Sequence, residues 1–150
     1  MTQESRVTGI WLKPAHKAKM QTVDLATMIT MKGLEGNINQ GGKRQVTIIE
    51  AEIWRWLMLE MGSDLPPETR RANVMLENFS LYESTGKILQ ISDCQIQIIG
   101  ETKPCKQMEK ALPGLEKLMK TGWRGGAYGV ILHGGIVEIN DPVLCHEIIE

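Results

Sequence analysis

The stretch Lys87-Ile88-Leu89-Gln90-Ile91-Ser92-Asp93-Cys94-Gln95-Ile96-Gln97-Ile98-Ile99 decides the class of fold. Ile96 and Ile98 alternate with Gln95 and Gln97, the period-two pattern of a strand with one dry and one wet face. Residues 87–91 are also strand-like, and Ser92-Asp93 between the two runs makes a tight turn, so the stretch predicts a β-hairpin. Working outward, residues 128–133 and 136–139 flank Gly134-Gly135, which predicts a second hairpin with a two-residue turn. Residues 6–12, 22–31, 45–49 and 73–76 read as further strands, and residues 142–148 close the set. Residues 50–61 predict a helix with Ile53, Leu57, Met58 and Met61 on one face and Gly62 as its stop. Residues 105–121 predict two short helical pieces meeting at Pro113, because proline disfavours helix in the residue before it. Residues 62–71, with Pro66-Pro67, read as a loop within one fold. Strands separated by turns exclude a doubly wound parallel sheet. The prediction is a mainly β single domain over residues 1–150, a closed or partly closed β-barrel with a few short helices.

At 150 residues the chain is long enough for one well-buried core. Hydrophobic residues make up 42% and charged residues 23%, which excludes wholesale disorder. A net charge of -1 gives no long-range pull on nucleic acid or an anionic membrane, so neither is expected as a partner. No apolar run approaches the ~20 residues of a membrane span, and no secretory signal is visible in the polar start, so a cytoplasmic protein is expected. The three cysteines, Cys94, Cys105 and Cys145, are odd in number and widely spaced, which implies no disulfide framework and no CxxC zinc pair. His16 and His133 lack HxxxH or HExxH spacing, so a metal site of protein ligands alone is not expected. Trp54, Trp56 and the methionines fit core and helix surface.

Three loops combine glycines with cations. Residues 33–45 contain Gly33, Gly36, Gly41 and Gly42 followed by Lys43 and Arg44. Glycines let backbone N–H groups approach a ligand, and the cations suit an anion such as phosphate; a plain flexible loop is the alternative. The Walker spacing is absent. Residues 67–73 carry Arg70-Arg71, which cannot both face the same way in a regular chain, so one could reach a phosphate while the other stays in solvent. Residues 123–129 hold Arg124 between Trp123 and the pair Gly125-Gly126, where a bidentate contact to an oxyanion or a simple exposed turn are both open.

Cys105 stands out among the thiols. Lys103 and Lys106 flank it and a helical segment follows, two features that favour thiolate, the form that acts as nucleophile and soft metal ligand. Cys94, inside an alternating strand, and Cys145, beside His146, read as small structural residues.

The order of these segments resembles the MOSC domain family, the domain at the C-terminus of molybdenum-cofactor sulfurases, which also occurs as small standalone proteins. The resemblance is carried by Gly33-Leu34-Glu35-Gly36, residues 44–49, Arg71-Ala72-Asn73-Val74, Pro104-Cys105, residues 124–130, Gly134-Gly135-Ile136-Val137 and Asn140-Asp141-Pro142-Val143. It implies a β-barrel-rich fold with a cleft for the molybdenum cofactor, a phosphate-bearing pterin. It also implies one functional cysteine, matched by Cys105, as sulfur carrier or as thiolate ligand to molybdenum. Lys43, Arg44, Arg71, Asn73, Arg124, Gly125 and Gly126 are the residues expected to hold the cofactor. Two positions depart from the family pattern: Asn37 and Asn39 stand where Asp and His are common. The doubled arginine before Asn is also shifted, with Ala72 in its second position.

Three functions follow as alternatives. The first is a cofactor-binding protein that works with cofactor-synthesising or acceptor proteins and carries sulfur on Cys105. The second is a molybdenum-dependent reductase of N-hydroxylated compounds that draws electrons from a separate donor, since three cysteines cannot hold a Cys₄ iron–sulfur cluster. The third is a non-enzymatic binding module that keeps the fold.

Overall fold

A computed structural model describes residues 4–146. In chain order the elements are β1 (Arg6–Leu12), β2 (Gln21–Thr22), β3 (Leu25–Ile29), β4 (Gly33–Leu34), β5 (Val46–Glu50) and α1 (Ala51–Met61). A 3₁₀ turn at Pro67–Arg70 leads to β6 (Val74–Glu77), β7 (Ile88–Ile91), β8 (Cys94–Glu101), α2 (Lys106–Ala111) and α3 (Leu115–Met119). The chain ends with β9 (Ala127–His133), β10 (Gly135–Glu138) and β11 (Val143–His146). The predicted strand at 142–148 is therefore seen to His146, and its last residues lie outside the described region.

The main sheet has eight strands in the order β11-β7-β8-β9-β5-β6-β1-β2. Its pairs are antiparallel except β5 with β6, which run parallel because α1 and the 3₁₀ turn carry the chain back between them. The sheet curls until its far parts meet. Arg6 bridges Pro142, Val7 N–H donates to Asp141 O at 3.0 Å, and Val143 N–H donates to Ser5 O at 2.9 Å. The architecture is the mainly β, partly closed barrel expected from the sequence, and the meeting of β1 with the start of β11 satisfies backbone groups that an open edge would expose.

Alternation places the core inside the curl. Ile10, Ile48, Leu76, Leu89, Ile96, Ile98 and Ile131 are all fully or almost fully buried there. The 87–99 hairpin forms with Ile91 opposite Cys94, and Cys94 lies in this core. A second apolar cluster sits outside the sheet, where Trp54, Leu57 and Met58 of α1 meet Met108 of α2 and Leu115 and Met119 of α3. Trp54 Nε1–H donates to Leu65 O at 2.9 Å, so its one polar atom is satisfied. Gly62 ends α1 in the left-handed region at φ 61°, as its position in the sequence implies. The break between α2 and α3 falls at residues 112–114, around Pro113.

Two expectations are corrected. The Gly134-Gly135 pair does not turn a hairpin. β9 stays in the main sheet, whereas β10 pairs with β3 in a separate three-stranded sheet, β10-β3-β4. Gly134 is needed for close approach: a Cβ on it would lie 2.3 Å from Met28 O. The same division splits the predicted 22–31 strand, since β2 belongs to one sheet and β3 to the other. Cys145 is the second correction. It is exposed, because β11 lies at the sheet edge and only Val143 of its four residues turns inward. Among the described residues no helix is long and apolar enough to cross a membrane.

Gly134→Ala is expected to lower stability by about 2–3 kcal/mol, because the methyl group must displace the Met28 backbone. Gly62→Ala meets nothing within 4 Å and should cost only about 1 kcal/mol of left-handed strain. Urea denaturation of the two variants measures both losses. Burial, helped by Asp93 and Asp141, raises the Cys94 thiol from 9.0 to about 11. Its folded value lies above the unfolded one, so its contribution is complete below pH 9 and fades as pH rises towards 11. Stability should therefore fall more steeply over that window in the wild type than in Cys94→Val.

Candidate functional site

Where the barrel meets the loops after β1, β4 and β8, a cationic cleft of about 150 Å³ opens. Lys13, Asn37, Arg44, Thr47, Arg70, Arg71, Asn73, Lys103 and Cys105 contribute to its lining. The lining includes no Asp, Glu or His.

The arginine pair is placed by the end of the 3₁₀ turn. Arg71 closes that turn in the left-handed region at φ 64°, and its N–H donates to Glu68 O at 2.9 Å. In extended chain two neighbouring side chains diverge, whereas this backbone reversal lets both border one cleft. Neither stays in open solvent. Arg70 is 8% exposed, and only its Nε is committed, donating to Gly125 O at 3.1 Å. Arg71 is half-buried and donates from Nη2 to Ala18 O at 2.8 Å. Burial pulls the Arg70 guanidinium below its ordinary range; negative charge on Cys105 opposes the shift and Arg44 adds to it.

Asn73 ties three elements together. Its Oδ1 accepts from Thr47 N–H at 3.1 Å, and its Nδ2 donates to Trp11 O and to Asn37 Oδ1, each at 3.1 Å. Asn37 Oδ1 also accepts from Lys13 N–H at 2.7 Å. These bonds fix both amide orientations, so Asn37 is left with Nδ2 as its unpaired group. Seven side-chain polar atoms among the described residues are sealed from solvent without a partner, and four belong to the cleft lining: Asn37 Nδ2, Arg70 Nη2, Arg71 Nε and Thr102 Oγ1. A buried donor without a bond costs about 1–3 kcal/mol, and such groups gather where a missing partner is expected. The ion pairs among the described residues involve Arg6, Arg55 and Lys103, never Lys13, Arg44, Arg70 or Arg71. The cleft is thus a positively charged, carboxylate-free wall with uncommitted donors.

Cys105 lies at its border, exposed, with Sγ 3.9 Å from Gln107 Oε1 and α2 beginning at the next residue. Among the described residues no cluster of three or more His, Cys, Asp or Glu could hold a metal ion.

Of the residues expected at the site, the structure brings together Arg44, Arg71, Asn73, Cys105 and Gly125. Lys43, Arg124 and Gly126 do not line the cleft. Lys43 is exposed on the turn after Gly41 and Gly42. Arg124 turns away, stacking its guanidinium 4.5 Å from the Trp56 ring centre and donating to Leu118 O at 3.0 Å. Trp123 packs against the main core and forms no wall. Gly126, at φ 95°, is a packing residue: a Cβ there would lie 2.2 Å from Ile48 O. Gly125 does both jobs, since a Cβ would lie 2.1 Å from Thr102 O and 3.3 Å from Arg70 Nη2. Arg70, Lys13, Thr47, Lys103 and Gln107 join the lining without having been singled out as cofactor residues. The Arg70-Arg71 pair was the visible signal for Arg70, and the lysines flanking Cys105 were the signal for Lys103.

A curled β-sheet whose loops form a cationic, thiol-bearing cleft is a defined class of protein. The chain belongs to the MOSC domain family, whose model matches residues 35–144. It resembles the YUAD protein from Bacillus subtilis with a TM-score of 0.80 at 18% identity, over 97% of each chain. YiiM from Geobacillus stearothermophilus aligns with a TM-score of 0.75 at 17% identity, over 95% of this chain and 75% of that one. YiiM from Escherichia coli gives 0.72 at 17% identity, over 96% and 71%. At these identities the likeness is one of fold. No curated protein matches the chain. The MOSC family is associated with molybdenum-cofactor sulfurase-like proteins.

Arg70→Met keeps the side chain's bulk and removes an unpaired buried charge. It should leave stability unchanged or raise it by about 1 kcal/mol while weakening phosphate binding at least about tenfold. Thermal denaturation and phosphate titration of the same preparation check the two halves.

Proposed function

We propose that the cleft binds the molybdenum cofactor and that Cys105 is its working thiol, as sulfur carrier or as ligand to molybdenum. The observation that carries this reading is the pairing of an exposed thiol with a buried guanidinium that has no carboxylate partner, on one cleft. Arg70, Arg71 and Arg44 supply the charge that the cofactor's phosphate requires, and Asn37 Nδ2 and Arg70 Nη2 are donors still lacking acceptors. Cys105 supplies the soft sulfur that molybdenum or a transferable sulfur atom needs. When bound, the cofactor would supply two-electron redox chemistry. The chain's own residues bind its anionic end and present the thiol. Asn37 and Asn39 stand where the family pattern commonly has Asp and His, so this cleft lacks an acid–base pair. That favours carrying or ligation over general acid–base work by the lining.

The partners of this reading are proteins that make or accept the cofactor, in the cytoplasm, where thiols stay reduced. The reductase reading shares the same cleft and adds a separate electron donor. The exposed position of Cys105 favours it to this extent: a substrate could reach a group bound beside the thiol.

Elemental analysis by mass spectrometry tests stable cofactor binding and the role of Cys105 as ligand. Wild type and Cys105→Ala are co-expressed with a working cofactor pathway. Molybdenum near one per chain, lost in the variant, is the expected result and leads to assays with N-hydroxylated substrates. Molybdenum retained in the variant removes Cys105 as ligand. None in either protein overturns stable cofactor binding and leaves a transient carrier or a binding module.

A further inference from the structure

Arg44 differs from the other arginines of the cleft in how it is held. Arg70 and Arg71 are each anchored by a bond to a backbone carbonyl. Arg44 is exposed, and among the described residues its side chain forms no such bond and no ion pair. Arg70 is a like charge close enough to act on it, and repulsion favours rotamers that carry Arg44 into solvent. A long side chain that samples those rotamers loses entropy when an anion fixes it. Its guanidinium nevertheless lies over one ring, 5.0 Å from the centre of Tyr128.

Tyr128 stands on β9 with Thr47 of β5 opposite it on one side and Gly100 of β8 on the other. Cross-strand partners share a face of the sheet, and Thr47 lines the cleft, so Tyr128 rises on the cleft side without lining it. Gly100 gives the ring its place: a Cβ there would lie 3.1 Å from Tyr128 Oη and 3.3 Å from Cε1 and Cζ. The turn that carries Arg44 is fixed from the same strand. Gln45 is buried; its Nε2 donates to Gly42 O at 2.8 Å and its Oε1 accepts from Ile131 N–H at 2.9 Å. β9 therefore holds the backbone beside Arg44 through Gln45 and the guanidinium through Tyr128.

We infer that Tyr128 is a positioning residue of the cleft: its ring face holds the Arg44 guanidinium in place by a cation–π contact, so that an arriving anion meets a charge already set. The negative face of the ring does this work, and the hydroxyl is not required for it. A phenyl ring at this position keeps the contact, whereas an aliphatic side chain of similar bulk removes it. The inference rests on reading the cleft as an anion site and adds a residue, outside the lining, that acts through Arg44.

Nuclear magnetic resonance of the full chain, titrated with inorganic phosphate at low ionic strength, tests it. Before phosphate is added, the ring current should move the Arg44 side-chain protons upfield in wild type and in Tyr128→Phe, and that shift should be lost in Tyr128→Leu. A cation–π contact at an exposed site is worth about two- to fivefold in an equilibrium constant. Tyr128→Leu is therefore expected to bind phosphate about threefold more weakly than wild type, with Tyr128→Phe within about 1.5-fold of it. In an Arg44→Ala background Tyr128→Leu should cause no further loss, the double-mutant result for a residue that acts through Arg44. Circular dichroism confirms that Tyr128→Leu is folded, and Tyr128→Met takes its place with the same expectations if it is not. A loss that persists on Arg44→Ala, or a Tyr128→Phe variant as weak as Tyr128→Leu, overturns the positioning role and leaves the cleft reading standing. Arg44 protons without a ring-current shift in wild type overturn the contact itself. No phosphate binding by wild type overturns the anion reading, and with it the role of the ring, even where the ring-current shift is seen.

Discussion

A guanidinium removed from water without a carboxylate beside it is the constraint around which this cleft is built. Arg70 is nearly buried, and burial depresses its basicity rather than a neighbour neutralising it. The fold holds it there by a single committed bond from Nε to Gly125 O and by a glycine that leaves room for its head. An uncompensated buried charge opposes folding, so the barrel must supply the difference. It does so through a closely packed interior in which strand residues from β1 to β11 are sealed from solvent. The cleft is accordingly a place where stability is given up, as binding sites commonly are.

The walls of the cleft are not a separate loop assembly. Asn73 lies one residue before β6, and its side chain completes the ladder of β5 by accepting from Thr47 N–H. Asn73 N–H in turn donates to Thr47 O at 3.0 Å. The parallel pairing of β5 with β6 thus runs directly into the arginine pair. The crossover through α1 and the 3₁₀ turn delivers Arg70 and Arg71 to the end of that pairing. Cys105 arrives from the opposite side, at the junction of β8 and α2. Sulfur and positive charge meet here because two unrelated strand ends open on the same side of the barrel.

Much of this was legible in the chain. Alternation at residues 94–99 and the Ser92-Asp93 turn gave the hairpin, because a half-buried strand must alternate. The helix at 51–61 and its Gly62 stop were equally plain. What could not be read was which sheet a strand would join. Gly134-Gly135 carries the signature of a tight turn, yet Gly134 serves a crossing over the Met28 backbone, a contact with a residue far away in sequence. The site residues that fall outside the cleft share that cause. Arg124 has the same local setting as a phosphate-binding arginine, but Trp56 of α1 offers its ring and Leu118 O its lone pair. Arg70 looked like half of an undecided pair; only tertiary burial distinguishes it. Cys145 looked structural because free cysteines usually are, and an edge strand exposes it.

Asn37 shows how sequence departures acquire meaning from geometry. Its Oδ1 joins Lys13 to Asn73, a bracing role that an aspartate oxygen would perform as well. The amide's distinguishing atom is Nδ2, the half that lies unpaired in the cleft wall. Bracing therefore does not account for an amide in place of the carboxylate common in the family pattern; the proposed anion site does. A carboxylate here would put a negative charge beside Arg70 and Arg71 and give the buried guanidinium an internal partner. With the amide, the lining carries no carboxylate, and the arginines are left without an internal counter-charge.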